Sequence, residues 1–150
     1  MPQIEKYTSV PLFAGLEASE IAKLLESSES VEASSGDTII HQGEQGPGLY
    51  LVASGSYAVT KEGIDEPVAV LEEYAHFGEM SLITNEPCSA SVVCTEEGRL
   101  RLLPWRQFGA MLRDRNPVAF TVVLNMSRVM ARRLLRAEDR FLLFDPKDES

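Results

Sequence analysis

Residues 36–55 read Gly36-Asp37-Thr38-Ile39-Ile40-His41-Gln42-Gly43-Glu44-Gln45-Gly46-Pro47-Gly48-Leu49-Tyr50-Leu51-Val52-Ala53-Ser54-Gly55. Two β-prone runs, Thr38–Ile40 and Leu49–Ala53, flank a stretch from Gly43 to Gly48 made mostly of glycine and proline. Branched and aromatic side chains suit a pleated, half-buried surface, whereas Gly and Pro mark chain reversals. The same texture extends outward on both sides. Val31–Ala33 precedes the segment, and Tyr57–Thr60, Val68–Leu71, Ala90–Cys94 and Leu100–Leu103 follow it. Turn-rich stretches at 34–36, 54–56, 62–67, 84–87 and 96–98 separate them. Short strands at a spacing of roughly 8–12 residues read as a β-sandwich, roll or barrel. One stretch breaks the pattern: after Gly78, Glu79-Met80-Ser81-Leu82-Ile83 reads as a single helical turn.

The ends of the chain are helical. A short N-terminal helix starts at Ser19 or in the Glu17–Ala18 region and runs through Leu25, with Ile21, Leu24 and Leu25 on one face. Pro11-Leu12-Phe13 ahead of it is expected to pack on the core. Trp105 to Leu112 forms another short helix. Asn116-Pro117 then starts a long one, with Asn as N-cap and Pro in the first helical position. That helix extends to about Phe144. Val123, Ser127, Met130, Leu134, Ala137, Phe141 and Phe144 recur at alternating intervals of four and three, the seam of a coiled coil. Pairing with a second copy of the chain is expected there, so a homodimer. A second stripe, Val122, Met126 and Val129, is expected to face the chain's own β-domain. Arg128, Arg132, Arg136 and Arg140 recur every four residues and read as a solvated face.

Composition narrows the function classes. The chain has 150 residues, 44 % hydrophobic and 25 % charged, consistent with one domain over 1–150. No apolar run approaches the roughly 20 residues that span a bilayer, and the N-terminus lacks a basic start followed by an apolar stretch. A cytoplasmic protein with no membrane partner is expected. The net charge of −9 is unevenly spread. Residues 1–98 hold 17 acidic side chains and three lysines, and every arginine lies between Arg99 and Arg140. The acidic first part repels DNA, so no nucleic-acid partner is expected. Cys88 and Cys94 are too few for a disulfide framework or a zinc site. No phosphate-loop, nucleophile-elbow or dinucleotide motif is present, and no enzyme activity is expected.

What chemistry there is concentrates in His76-Phe77-Gly78-Glu79-Met80-Ser81-Leu82-Ile83 and Pro87-Cys88-Ser89-Ala90-Ser91-Val92. A glycine at the start of a short helix lets a ligand approach backbone N–H groups. Glu79 there either offsets the helix dipole or accepts a hydrogen bond from a ligand hydroxyl. Ser89, Ala90 and Ser91 leave room and offer hydroxyls. Cys88 reads as a small neutral residue or as a reactive thiol with Cys94 as partner.

Taken together these segments resemble the cyclic nucleotide-binding domain family of bacterial catabolite-activator regulators and kinase regulatory subunits. The resemblance rests on four stretches. They are Val10-Pro11-Leu12-Phe13 with Leu16, the Gly36 to Gly55 stretch, Phe77-Gly78-Glu79-Met80-Ser81-Leu82, and Met130-Ala131-Arg132-Arg133-Leu134. It implies a mainly β fold, an eight-stranded β-roll with a short N-terminal helix and a long C-terminal helix. It implies a non-enzymatic regulatory module for cAMP or cGMP, with no other cofactor. Glu79 matches the glutamate that holds the ribose 2′-hydroxyl. Gly78 and Met80 fall where backbone meets ligand, Ser89 and Ala90 where the cyclic phosphate is cradled, and Ser91 near a purine. Three departures stand out. Cys88 replaces the phosphate-binding arginine of the family motif. Losing one charge-assisted hydrogen bond of about 1.5–3 kcal/mol lowers affinity roughly 10- to 150-fold, and Arg133 is the candidate substitute cation. Ala137 and Glu138 fall where bacterial regulators present hydroxyls to adenine. Only Asp145 to Ser150 follow the long helix in this sequence, so no DNA-reading domain is expected. The alternative is therefore a degenerate domain without nucleotide, serving dimerisation or protein interaction.

Overall fold

A computed structural model of the protein describes residues 4–143, without the side chains of Ile83 and of residues 137–143. The helices are α1 (Ile4–Tyr7), α2 (Ala18–Glu26), α3 (Met80–Thr84), α4 (Trp105–Arg113) and α5 (Pro117–Leu143), with a 3-10 turn at Pro11–Phe13. The strands are β1 (Glu29–Ala33), β2 (Thr38–Ile40), β3 (Gly48–Val52), β4 (Ser56–Thr60), β5 (Ala69–Leu71), β6 (His76–Phe77), β7 (Ser91–Glu96) and β8 (Gly98–Pro104). They form two antiparallel sheets, β1-β8-β3-β6 and β2-β7-β4-β5. This is the expected eight-stranded roll with flanking helices. Seven strands match β-prone runs within about two residues at each end. The eighth, β6, pairs His76 with Leu51 and Phe77 with Tyr50, and two residues are too few to carry a periodicity.

Helix starts follow the local chemistry. The Glu17 N–H donates to Glu20 Oε1 at 3.0 Å, so α2 begins at Ala18. Asn116 Oδ1 accepts from the Val118 N–H at 2.9 Å, and Pro117 opens α5. The predicted end at Phe144 lies outside the described residues, as do the side chains of Ala137, Glu138, Arg140 and Phe141.

β3 is buried along its whole length, because its sheet is covered on both faces. Leu49 and Leu51 point into a cluster with Leu12, Phe13, Ile21, Phe108, Val122 and Met126. Tyr50 and Val52 point the other way, between the sheets, with Tyr57, Phe77, Val92 and Leu100. Successive strand side chains face opposite ways, so one strand serves two cores.

Of the expected seam, Val123 packs against the domain while Leu134 is exposed. Ala119, Val122 and Met126 are fully buried in the helical core, and Val123 packs against it. Val122 and Met126 thus face the domain as expected, whereas Val123 is drawn inward rather than presented to a partner. The large apolar side chains left outside are Phe120, Leu124, Leu134 and Leu135, each about half exposed or more. Arg128, Arg132 and Arg136 are solvent-exposed, as a solvated face requires.

Candidate functional site

A cavity of about 480 Å³ opens beside β6 and α3. Its walls come from Ile40, Val59, Val92 and residues 69–71 of the β2-β7-β4-β5 sheet, from residues 76–81 and 88–90, and from Arg133 of α5. Seven sequence-predicted site residues line it: Gly78, Glu79, Met80, Cys88, Ser89, Ala90 and Arg133. Ser91 does not. It opens β7, where side chains alternate, so Ala90 and Val92 face the cavity and Ser91 faces away. Its hydroxyl accepts the Gln42 N–H at 2.8 Å and anchors the loop after β2.

Gly78 connects β6 to α3 with φ +92°, a conformation that suits glycine. A Cβ there would approach the Gly48 carbonyl oxygen to 2.7 Å. This tight passage delivers Glu79 into the cavity, where it is only 4 % exposed. Its side chain makes no cap hydrogen bond to α3. The carboxylate Oε1 instead receives Arg133 Nη1 at 3.3 Å. Arg133 is half exposed, so the pair contributes at most about 1 kcal/mol. A ligand hydroxyl can therefore share or displace it at small cost. Met80 forms an exposed part of the rim.

His76 is the residue that sequence reading missed. It lines the cavity, is 6 % exposed, and its Nε2 lies 3.9 Å from Glu79 Oε1. That nitrogen has no hydrogen-bond partner among the described residues. The only available signal was its place three residues before the glutamate. Burial lowers its pKa from the usual 6.5, against the opposing pull of Glu79 and with a further push from Arg133. The native state then binds fewer protons than the unfolded chain just below pH 6.5. Stability from the neutral imidazole is present above that pH and is lost as pH falls through it toward the lowered native value. We predict a decline of up to about 1.4 kcal/mol per pH unit, removed in His76→Phe; denaturant midpoints across pH 5–8 measure it. An equal slope in both proteins would refute the assignment.

Cys88 is buried, with Sγ 3.7 Å from Ser81 Oγ. Its backbone ties it to the loop after β2, donating to Glu44 O and accepting from the Gly43 N–H. Cys94 is also free and buried, its thiol donating to Glu96 O at 3.1 Å, and burial pushes its pKa up. These are packed thiols with neutral neighbours at Cys88, rather than an exposed reactive pair. Among the described residues the cavity wall thus carries one carboxylate, one guanidinium and an imidazole, with small neutral side chains at 88–90.

Comparison with known proteins agrees with this geometry. The family model described as cyclic nucleotide-binding domain matches residues 30–115, more than half of the chain. The cAMP-dependent protein kinase regulatory subunit of Mycosarcoma maydis is 39 % identical over 99 residues, covering 63 % of this chain and 19 % of that protein. The chain thus spans about a fifth of that relative's length. The catabolite activator protein of Thermus thermophilus superposes with a TM-score of 0.77 at 34 % identity, over 89 % of this chain and 62 % of that one. The regulatory subunit of a cAMP-independent protein kinase A from Trypanosoma cruzi, bound to guanosine, superposes with a TM-score of 0.65 at 29 % identity, over 78 % and 41 %. With the family model matched along its β-roll, the chain belongs to the cyclic nucleotide-binding domain family.

Proposed function

We propose that this chain is a non-enzymatic, cytoplasmic regulatory module, acting as one unit, whose cavity holds a ligand through its ribose. Glu79 receives the 2′-hydroxyl, the backbone at Gly78 and Met80 approaches the sugar, and Ser89 and Ala90 border the region beyond it. The observation that carries this reading is the buried Glu79 carboxylate, which lines the cavity and is paired with an arginine from α5. The same contact supplies the signal: a ligand that takes Glu79 competes with Arg133 and alters how α5 rests on the roll. α5 is then the output element. Its outer residues Phe120, Leu124, Leu134 and Leu135 are offered to a second copy or a partner protein.

Cyclic AMP and cyclic GMP are the candidate ligands by family. Cys88 lowers their expected affinity, and the relative from Trypanosoma cruzi is bound to guanosine, a nucleoside. The second reading, a nucleotide-free interaction module, is favoured by the same cysteine. Calorimetric titration of protein stripped by unfolding and refolding separates the two. Saturable heats with a ribose-bearing ligand at micromolar to low millimolar concentration are expected. Silence toward cyclic nucleotides and nucleosides alike would favour the interaction module.

A further inference from the structure

We infer that the preferred ligand is an uncharged ribonucleoside, read through its vicinal 2′,3′-diol by Glu79 and His76 together, with 3′,5′-cyclic nucleotides as poor ligands. The inference rests on the ribose-binding reading above and specifies its chemistry. Two independent features carry it.

The first is the unpaired imidazole. A nitrogen buried to this degree without a partner costs free energy that a bound ligand can recover. His76 Nε2 lies 3.9 Å from Glu79 Oε1, and both residues line the same cavity. Two polar atoms set side by side match two adjacent hydroxyls: one donates to the carboxylate, the other to Nε2 of a neutral imidazole that carries its proton on Nδ1. In a 3′,5′-cyclic nucleotide O3′ is esterified and has no proton to donate, so one of the pair stays unsatisfied. A ribonucleoside satisfies both.

The second is charge. Cys88, Ser89 and Ala90 also line the cavity, with no cation among them. Arg133, the arginine that lines the cavity, is already engaged with Glu79 at the sugar end. A phosphate lodged against Cys88 leaves water without an opposing charge, which is costly. A 5′-hydroxyl meets no such penalty. Small neutral side chains at 88–90 suit it better than they suit an anion.

The decisive experiment is titration calorimetry on the stripped, unmodified protein. The probes are adenosine and guanosine, their 2′-deoxy and 3′-deoxy forms, and the matching 3′,5′-cyclic monophosphates. The ribonucleoside of the preferred base should bind at least about tenfold more tightly than its cyclic monophosphate, and loss of either hydroxyl should cost about tenfold. His76→Phe should erase the 3′-deoxy penalty while leaving the 2′-deoxy penalty in place. A 3′-deoxynucleoside that binds as well as the ribonucleoside overturns the inference on wild-type protein alone, whatever the variant does. A cyclic nucleotide that binds as tightly as its nucleoside overturns the inference and leaves the ribose-binding reading standing. Silence toward every probe overturns both.

Discussion

Cys88→Arg is expected to bind cyclic AMP or cyclic GMP roughly 10- to 150-fold more tightly than the unmodified chain, the worth of one charge-assisted hydrogen bond of about 1.5–3 kcal/mol. The substitution is chemically local. Residue 88 lines the cavity and is held by backbone bonds to Glu44 and Gly43, which do not depend on its side chain. A cavity of about 480 Å³ has room for a guanidinium that a thiol leaves unfilled. The gain should be selective. A nucleoside without phosphate offers the new arginine nothing, so its affinity should stay flat or fall. Calorimetry with a nucleoside and its cyclic monophosphate on both proteins reads the selectivity directly. Unchanged cyclic nucleotide affinity would mean that ligand does not approach residue 88, and that the cavity is used in some other way.

The largest stability effect is expected away from the cavity. Asn125 is 3 % exposed, and its Nδ2 donates to the Leu12 and Ala14 carbonyls, both at 2.9 Å. These two bonds join α5 to the 3-10 turn at Pro11–Phe13. Asn125→Leu keeps the approximate volume but removes both donors, and the Leu12 carbonyl is left buried without its partner. A loss of about 2–4 kcal/mol follows, lowering the melting temperature by roughly 5–15 °C for a chain of this size. Thermal unfolding followed by circular dichroism tests it. A shift within 2 °C, on the order of experimental scatter, would show that the joint carries little of the native stability. The same joint places the N-terminal turn in direct contact with the helix that carries Arg133.

The roll was legible because its signals are local. Gly and Pro at 43–48 punctuate the chain, and the runs between such stretches are rich in β-branched and aromatic residues. Asn116-Pro117 announces α5 for the same reason, since a cap acts within its own turn. β6 was not legible, because two residues hold no period. Glu79 was found through its position after Gly78. His76 was not, because nothing within the chain marks which strand side chain faces a cavity and lacks a partner.

By itself the sequence determined the order of seven of the eight strands and of α2 to α5, the glycine that turns the chain into Glu79, and the absence of a cation between Pro87 and Val92. These depend on residue identity and near neighbours, and folding does not alter them. Tertiary structure alone decided three things. It carried Arg133, 54 residues beyond Glu79, onto that carboxylate. It turned Ser91 away from the cavity and left His76 Nε2 buried beside Glu79 without a bond. It also packed Val123 against the domain's own core and left Phe120 and Leu124 outside. Each of these is set by which surfaces meet when sheets and helices pack. Long-range contact and helix rotation carry no signature in the local order of residues.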